Sequence, residues 1–196
     1  MAHSVEIEFK TLIKEADYLA LVAMYCQPAP VFFNQTNTYF DTPDFSLKSQ
    51  HMGLRIRTFD QRGELTLKSP LKESQGLLET TDYLTLAEAQ DLIAANQIVP
   101  DGHVATFLKE HRIDITKLVI HGQLTTKRVE VNLRPDVLLV LDESWYHGQH
   151  DFELEMEVTD EEAGQAFFVN FLKENQLSYL PGGNKVTRTF NAKLSK

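Results

Sequence analysis

Glu6, Glu8 and Lys10 alternate with Val5, Ile7 and Phe9, and far downstream Glu153, Glu155 and Glu157 alternate with Phe152, Leu154, Met156 and Val158. Side chains of an extended strand point alternately to opposite faces, so each segment has one apolar face and one charged face. Carboxylates this concentrated repel one another unless cations lie among them. The chain offers Arg55, Arg57, Lys68, Lys127 and Arg128, and a divalent cation is the remaining component. Carboxylates hold Mg²⁺ or Mn²⁺ through oxygen, guanidinium forks match phosphate oxygens bidentately, and ammonium groups add point charges. The ligand these groups point to is a short polyphosphate: the successive charges of a triphosphate suit basic residues spread over several strands. No glycine-rich phosphate loop ending in Gly-Lys-Ser or Gly-Lys-Thr occurs.

The elements that must position these residues are mostly strands. Residues 4–13 read as a first strand, followed by a helix over 16–26 with Leu19, Val22 and Cys26 at helical spacing, ended by Pro28 and Pro30. A strand over 34–41 stops at Asp41-Thr42-Pro43-Asp44, where Asp41 reads as a turn cap and Tyr39 and Phe40 as packing residues. An antiparallel hairpin joins 53–59 to 64–68, and another strand covers 76–83. Thr85 and Glu88 make a capping box opening a helix to Ala95, with a second helical piece at 103–110. Then follow strands over 118–133, 137–143 and 151–158 and a helix from a Thr159/Glu162 cap to about Gln176. Its Phe167, Phe168, Phe171 and Leu172 share one side, and the tail from Gly182 to Lys185 reads as a flexible turn followed by basic residues.

In an ordinary sandwich the outward polar faces carry mixed charges. Here they are sorted, acidic on the first and last strands and basic on those between. About eight antiparallel strands closed into a barrel bring these faces together on a charged tunnel, with the helices packed outside over the apolar faces. The fold class is therefore α+β. At 196 residues, with 42% hydrophobic content, residues 1–196 suit one domain. A net charge of −9 argues against nucleic-acid binding. No apolar run is long enough to span a bilayer and no leader is visible, so a soluble, cytoplasmic protein is expected, without membrane partners, as monomer or homodimer. Cys26 is the only cysteine, which excludes an intrachain disulfide and a multi-cysteine zinc site.

Taken in order, Glu6-x-Glu8-x-Lys10, Tyr39-Phe40-Asp41-Thr42-Pro43, Gly53-Leu54-Arg55-Ile56-Arg57, Leu65-Thr66-Leu67-Lys68, Lys127-Arg128, Asp142 and Glu153-x-Glu155 resemble the CYTH domain family, the triphosphate tunnel metalloenzymes. The form of these motifs is most similar to small bacterial members labelled as triphosphatases. The resemblance implies an eight-stranded antiparallel barrel and metal-dependent hydrolysis of a small triphosphate, foremost inorganic triphosphate to pyrophosphate and phosphate. It also implies roles. Arg55, Arg57, Lys68 and Arg128 clamp phosphates, joined by Lys127, with Lys10 near the reacting end, and Glu6, Glu8, Glu153 and Glu155 carry metal near Asp142. Glu157 shares their parity and is the alternative to Glu153. Lys185 and Arg188 resemble the basic element that closes the site. A carboxylate or Lys10 assists proton removal. Class IV adenylate cyclase and thiamine triphosphatase are the enzyme alternatives, and a polyphosphate or organic-phosphate binding module the non-enzyme one.

Several residues read as structural instead. His147 and His150 have an HxxH spacing beside Asp151 but lie in a turn and read as solvated. Trp145 and Tyr146 read as hairpin packing and Cys26 as a buried helix residue, while Glu79 and Glu130 read equally as counter-charges for arginines inside the tunnel or as catalytic carboxylates.

Overall fold

The structure, a computed structural model, describes residues 3–71 and 76–194. Its strands are β1 (His3–Ile13), β2 (Phe32–Asp41), β3 (Gly53–Thr58), β4 (Arg62–Pro70), β5 (Leu77–Thr85), β6 (Val119–Arg134), β7 (Val137–Tyr146) and β8 (Gln149–Val158). They close into an antiparallel barrel in the order β1-β5-β4-β3-β2-β6-β7-β8, with β8 returning to β1. The helices are α1 (Glu15–Tyr25), α2 (Ser46–Ser49), α3 (Leu86–Ala95), α4 (His103–Glu110), α5 (Glu161–Glu174) and α6 (Lys185–Leu194). Among the described residues no helix is long and apolar enough to cross a membrane.

The alternating strands place their apolar faces outward, beneath helices. On one side Ile7, Phe9, Leu139, Leu154 and Met156 pack against Tyr18 and Leu21 of α1 and Phe168, Phe171 and Leu172 of α5. On the other, Leu54, Ile56, Leu65 and Leu67 meet Ala89 of α3 and Val104, Ala105 and Leu108 of α4. Burying each such side chain contributes roughly 1.5–3 kcal/mol, which fixes the register: a one-residue slip would turn the charged face into these helices.

Local signals set most boundaries. Thr85 and Glu88 form the expected capping box, Glu88 N donating to Thr85 Oγ1 at 3.2 Å and Thr85 N to Glu88 Oε2 at 2.8 Å. The α5 cap is one residue later than the sequence pattern suggests: Ala163 N donates to Asp160 Oδ1 at 2.8 Å, so Asp160 and not Thr159 satisfies the free amide. In α1 Val22 and Cys26 of the predicted stripe pack on the barrel, joined by Tyr18 and Leu21, while Leu19 is exposed because it lies off the side that Tyr18, Leu21 and Val22 present to the core. Val5 is likewise exposed, since the beginning of β1 pairs with β5, outside the reach of α1 and α5.

Gly164 shows how closely α5 lies on β8. A Cβ there would fall 2.5 Å from Val158 Cγ2 and 2.8 Å from Val158 Cβ. Overpacking costs about 1–3 kcal/mol, against roughly 1 kcal/mol gained in helix propensity. Gly164→Ala should therefore lower the melting temperature by a few degrees; an increase in a thermal melt would show that α5 can lift off β8 freely.

Candidate active site

Inward-facing positions of the barrel carry the charge. Glu6, Glu8 and Lys10 come from β1, Arg55 and Arg57 from β3, Lys68 from β4, Arg128 from β6, Asp142 from β7, and Glu153, Glu155 and Glu157 from β8. The β1/β8 ladder sets Glu8 opposite Glu157 and Lys10 opposite Glu155, so both acidic strands share one seam. The basic strands β3 and β4 lie beyond β5. A cavity of about 360 Å³ runs between the walls, lined by Glu8, Lys10, Arg55, Arg57, Lys68, Arg128, Glu155 and Lys185 among others.

The basic wall is under strain. Arg57 Nε donates to Asn37 Oδ1 at 2.8 Å, and its Nη1 lies 3.4 Å from Glu64. Burial and the Arg55 and Arg128 guanidiniums push Arg57 down to about 9, still charged at neutral pH. Arg55 is 3.8 Å from Glu79, and its Nε is buried with no hydrogen-bond partner. Lys68 bonds Glu6 and lies 3.1 Å from Glu79. Cations crowded this way gain from an added anion.

The acidic wall divides in two. Toward α6, Arg128 donates to Asp142 at 2.8 and 2.7 Å and to Glu155 at 3.0 Å. Lys185 donates to Glu153 at 2.5 Å and Glu155 at 2.6 Å and reaches Asp142 at 2.9 Å. Arg188 bonds Glu153 and lies 3.3 Å from Asp151. Burial opposes ionisation of Glu155, but Lys185 and Arg128 outweigh it and hold the carboxyl well below the usual range. Away from α6, Glu157 forms no ion pair among the described residues, and burial, then Glu6, push it up to about 7. Burial also raises Glu6 despite Lys68.

A divalent cation fits this second group by its donor chemistry: hard oxygens of Glu6, Glu8 and Glu157, with Glu155 beside them, and less positive charge than negative. Glu153, pushed up to about 7 by burial yet held between Lys185 and Arg188, is already engaged. Of the two, Glu157 is the one without an ion pair among the described residues. No three carboxylates or other donors are gathered at metal-holding distance among the described residues, so holding an ion would require the carboxylates to draw together.

A group whose folded pKa stands above the usual 4.5 stabilises the fold while protonated, and that contribution is lost as pH rises toward the folded value. Melting temperature in chelator should thus fall as pH rises from about 5 to about 7.5, and less steeply in Glu157→Gln. An identical slope in the variant would remove Glu157 as its source. Magnesium should relieve the loss, because it takes the place of the proton.

Other predicted residues fall in various places. Lys127 is not in the tunnel: it alternates with Arg128, points outward over Phe32 at 4.4 Å and faces Glu143 at 3.8 Å. Glu79 is inside, whereas Glu130 stands at the edge, 3.5 Å from Arg128. Asp41 is a cap, accepting from Thr42, Leu47 and Lys48 amides at 2.7, 2.8 and 3.0 Å. Tyr146 faces inward and donates to Asp151 at 2.6 Å, and Trp145 stacks on His150 outside the barrel. His150 is exposed as expected; His147 is not, its Nε2 being buried without a partner beside Gly122 and α6. Gly182 to Asn184 lie outside any helix, with Gly183 at φ 65°, as expected of a turn, but the basic residues after them belong to the helix α6, whose Phe190 packs with Tyr39, Leu124 and Tyr146 at one mouth.

Residues 4–190 match the model of the CYTH domain family. The chain belongs to that family. Among CYTH relatives, the Bacillus subtilis protein called "putative triphosphatase YjbK" is 34% identical over 98% of both chains. A crystal structure from Bacillus halodurans, described as a "putative adenylate cyclase", superposes with a TM-score of 0.88 at 36% identity, covering 97% of this chain and 100% of that one. A shorter stretch of 47 residues is 51% identical to an inorganic triphosphatase of Haemophilus influenzae, spanning 24% of this chain and 13% of its relative. These CYTH names divide between two reactions, so the choice between them rests on the cavity.

Proposed function

We propose that the tunnel hydrolyses a small triphosphate, foremost inorganic triphosphate, to pyrophosphate and phosphate in the cytoplasm, with Mg²⁺ or Mn²⁺. The observation that carries this reading is an under-neutralised cationic wall, Arg55 and Arg57, lining one cavity with Glu8 and Glu155, beside which Glu6 and Glu157 form an under-neutralised anionic patch in the same barrel. An oligophosphate and its divalent ion supply both missing charges. The relatives named as triphosphatases point the same way.

Arg55, Arg57, Lys68 and Arg128 would bind and orient the phosphates, holding the scissile phosphoanhydride in line with an attacking water. Glu6, Glu8, Glu155 and Glu157 would hold the metal, which when bound neutralises charge on the transferring group and activates water. Water adds across the terminal anhydride, giving phosphate and pyrophosphate. Burial alone would discharge Lys10, but Glu8, Glu155 and Glu153 outweigh it and raise its pKa above the usual value. Lys10 therefore serves as a fixed positive charge on the reacting phosphoryl group, and proton acceptance falls to a carboxylate. Lys185 and Arg188 close the mouth over the bound chain.

A cyclase or thiamine triphosphatase needs a surface for a ring. The aromatic residues lining the cavity, Tyr39, Phe40 and Phe190, are 4%, 1% and 4% exposed, and Trp145 is stacked outside. The test is product release from inorganic triphosphate, ATP and thiamine triphosphate with each metal, for the native chain and Glu6→Gln. Phosphate from inorganic triphosphate, lost by about a hundred-fold or more in the variant, is the expected result. Pyrophosphate and cyclic AMP from ATP would make it a cyclase.

A further inference from the structure

The rim of the cavity carries two nitrogen-bearing side chains with no part in the triphosphate reading. Lys48 and His51 line the same cavity as Arg55 and Lys68 and are exposed at its mouth. No carboxylate pairs with the Lys48 ammonium among the described residues; it stands 5.5 Å over the Phe45 ring. Their backbone is held firmly. The Asp41 carboxylate, 1% exposed, accepts the amides of Leu47 and Lys48, and Thr42 Oγ1 accepts that of Ser46 at 2.8 Å. On either side of α2, Phe45 at φ 58° and His51 at φ 57° adopt the left-handed conformation that non-glycine residues avoid. A buried carboxylate and two strained residues thus fix a four-residue helix at the mouth, with one hydrogen-bond donor, Lys48, on it and the other, His51, just after it.

We propose that Lys48 and His51 form an outer phosphate subsite, taking the next phosphate of a linear inorganic chain longer than three. This rests on the tunnel being a triphosphatase. The inner phosphates lie on Arg55, Arg57, Lys68 and Arg128, and the fourth leaves the tunnel where a nucleoside or thiamine would otherwise begin. Donors at that place, with the half-buried Phe45 ring already covered by Lys48, suit a phosphate oxygen. Hydrolysis is unchanged in kind: one water adds across one anhydride bond of inorganic tetraphosphate, giving phosphate and triphosphate and releasing a proton to solvent.

The experiment measures binding of inorganic triphosphate, inorganic tetraphosphate and ATP by calorimetry in chelator, and their turnover with magnesium. It compares the native chain with Lys48→Ala/His51→Asn; asparagine tolerates the left-handed backbone, and a melting curve checks the fold. The native chain should bind tetraphosphate about ten-fold more tightly than triphosphate, and the double variant should bring that ratio near one while triphosphate affinity and turnover stay within about two-fold. An unchanged ratio, or equal weakening of both inorganic ligands as from a general field, would overturn the subsite. A loss confined to ATP would overturn it too, by making the mouth a nucleoside site. Absent turnover with the native ratio intact and lost in the variant would sink the hydrolase reading while upholding the subsite.

Discussion

Arg57→Met should lower kcat/KM for inorganic triphosphate by about a thousand-fold, the scale seen when a guanidinium that meets developing phosphoryl charge is removed. The same substitution should leave the melting temperature of the ligand-free protein unchanged or slightly raised. Arg57 is buried beside two other guanidiniums, and its nearest carboxylate, Glu64, keeps Arg62 at 3.2 Å as a partner. Methionine conserves much of the volume and removes a cation that burial and its neighbours disfavour. Triphosphate should raise the melting temperature of the native chain far more than that of the variant, because only the native tunnel gains binding energy from the added anion. A fall in ligand-free stability in proportion to the activity loss would show that Arg57 holds the barrel together and is not a phosphate clamp.

Arg128→Met should behave in the opposite way on stability. Its guanidinium is shared by Asp142, fully buried, and Glu155, and among the described residues Lys185 would remain as the ion-pair partner of both. Breaking a buried pair by removing one partner costs about 3–5 kcal/mol, or roughly 10 °C for a domain of this size. Activity should be lost as well. Adding Asp142→Leu to Arg128→Met removes the stranded carboxylate and should recover much of the melting temperature without recovering turnover. Independent, additive losses in the double variant would mean that the pair is not coupled. Two arginines of one tunnel thus differ by circumstance: one is paid for by its neighbours, the other waits for a ligand.

The strand faces were readable because alternation is local: Glu6, Glu8 and Lys10 can share a face only in extended chain, and Val5, Ile7 and Phe9 then share the other. The same rule separates Lys127 from Arg128, adjacent residues that cannot both face the tunnel. What was not legible depends on contacts between distant segments. α6 has few apolar residues, and Val186 and Phe190 gain a burial site only once the barrel mouth exists to receive them. α2 is four residues long and hangs on Asp41, whose capping role was visible although the helix it caps was not. Glu153 and Glu157 have the same parity on one strand; only the docking of Lys185 and Arg188 beside the first distinguishes them.

The seam between β1 and β8 bears on how the molecule comes into being. The pairs along β5-β4-β3-β2 and β6-β7-β8 are joined by hairpins or short excursions and β1–β5 and β2–β6 span longer stretches, but the β1–β8 pair is the farthest apart in the chain, so β1 must wait for a strand made after most of it. Closing so long a loop is the slow step in a barrel's assembly. Glu8 and Glu157 face one another only across that seam. A complete chain whose seam has not closed, or has reopened, therefore carries every side chain proposed for the tunnel without their arrangement, so the appearance of metal-dependent turnover during refolding would report barrel closure itself.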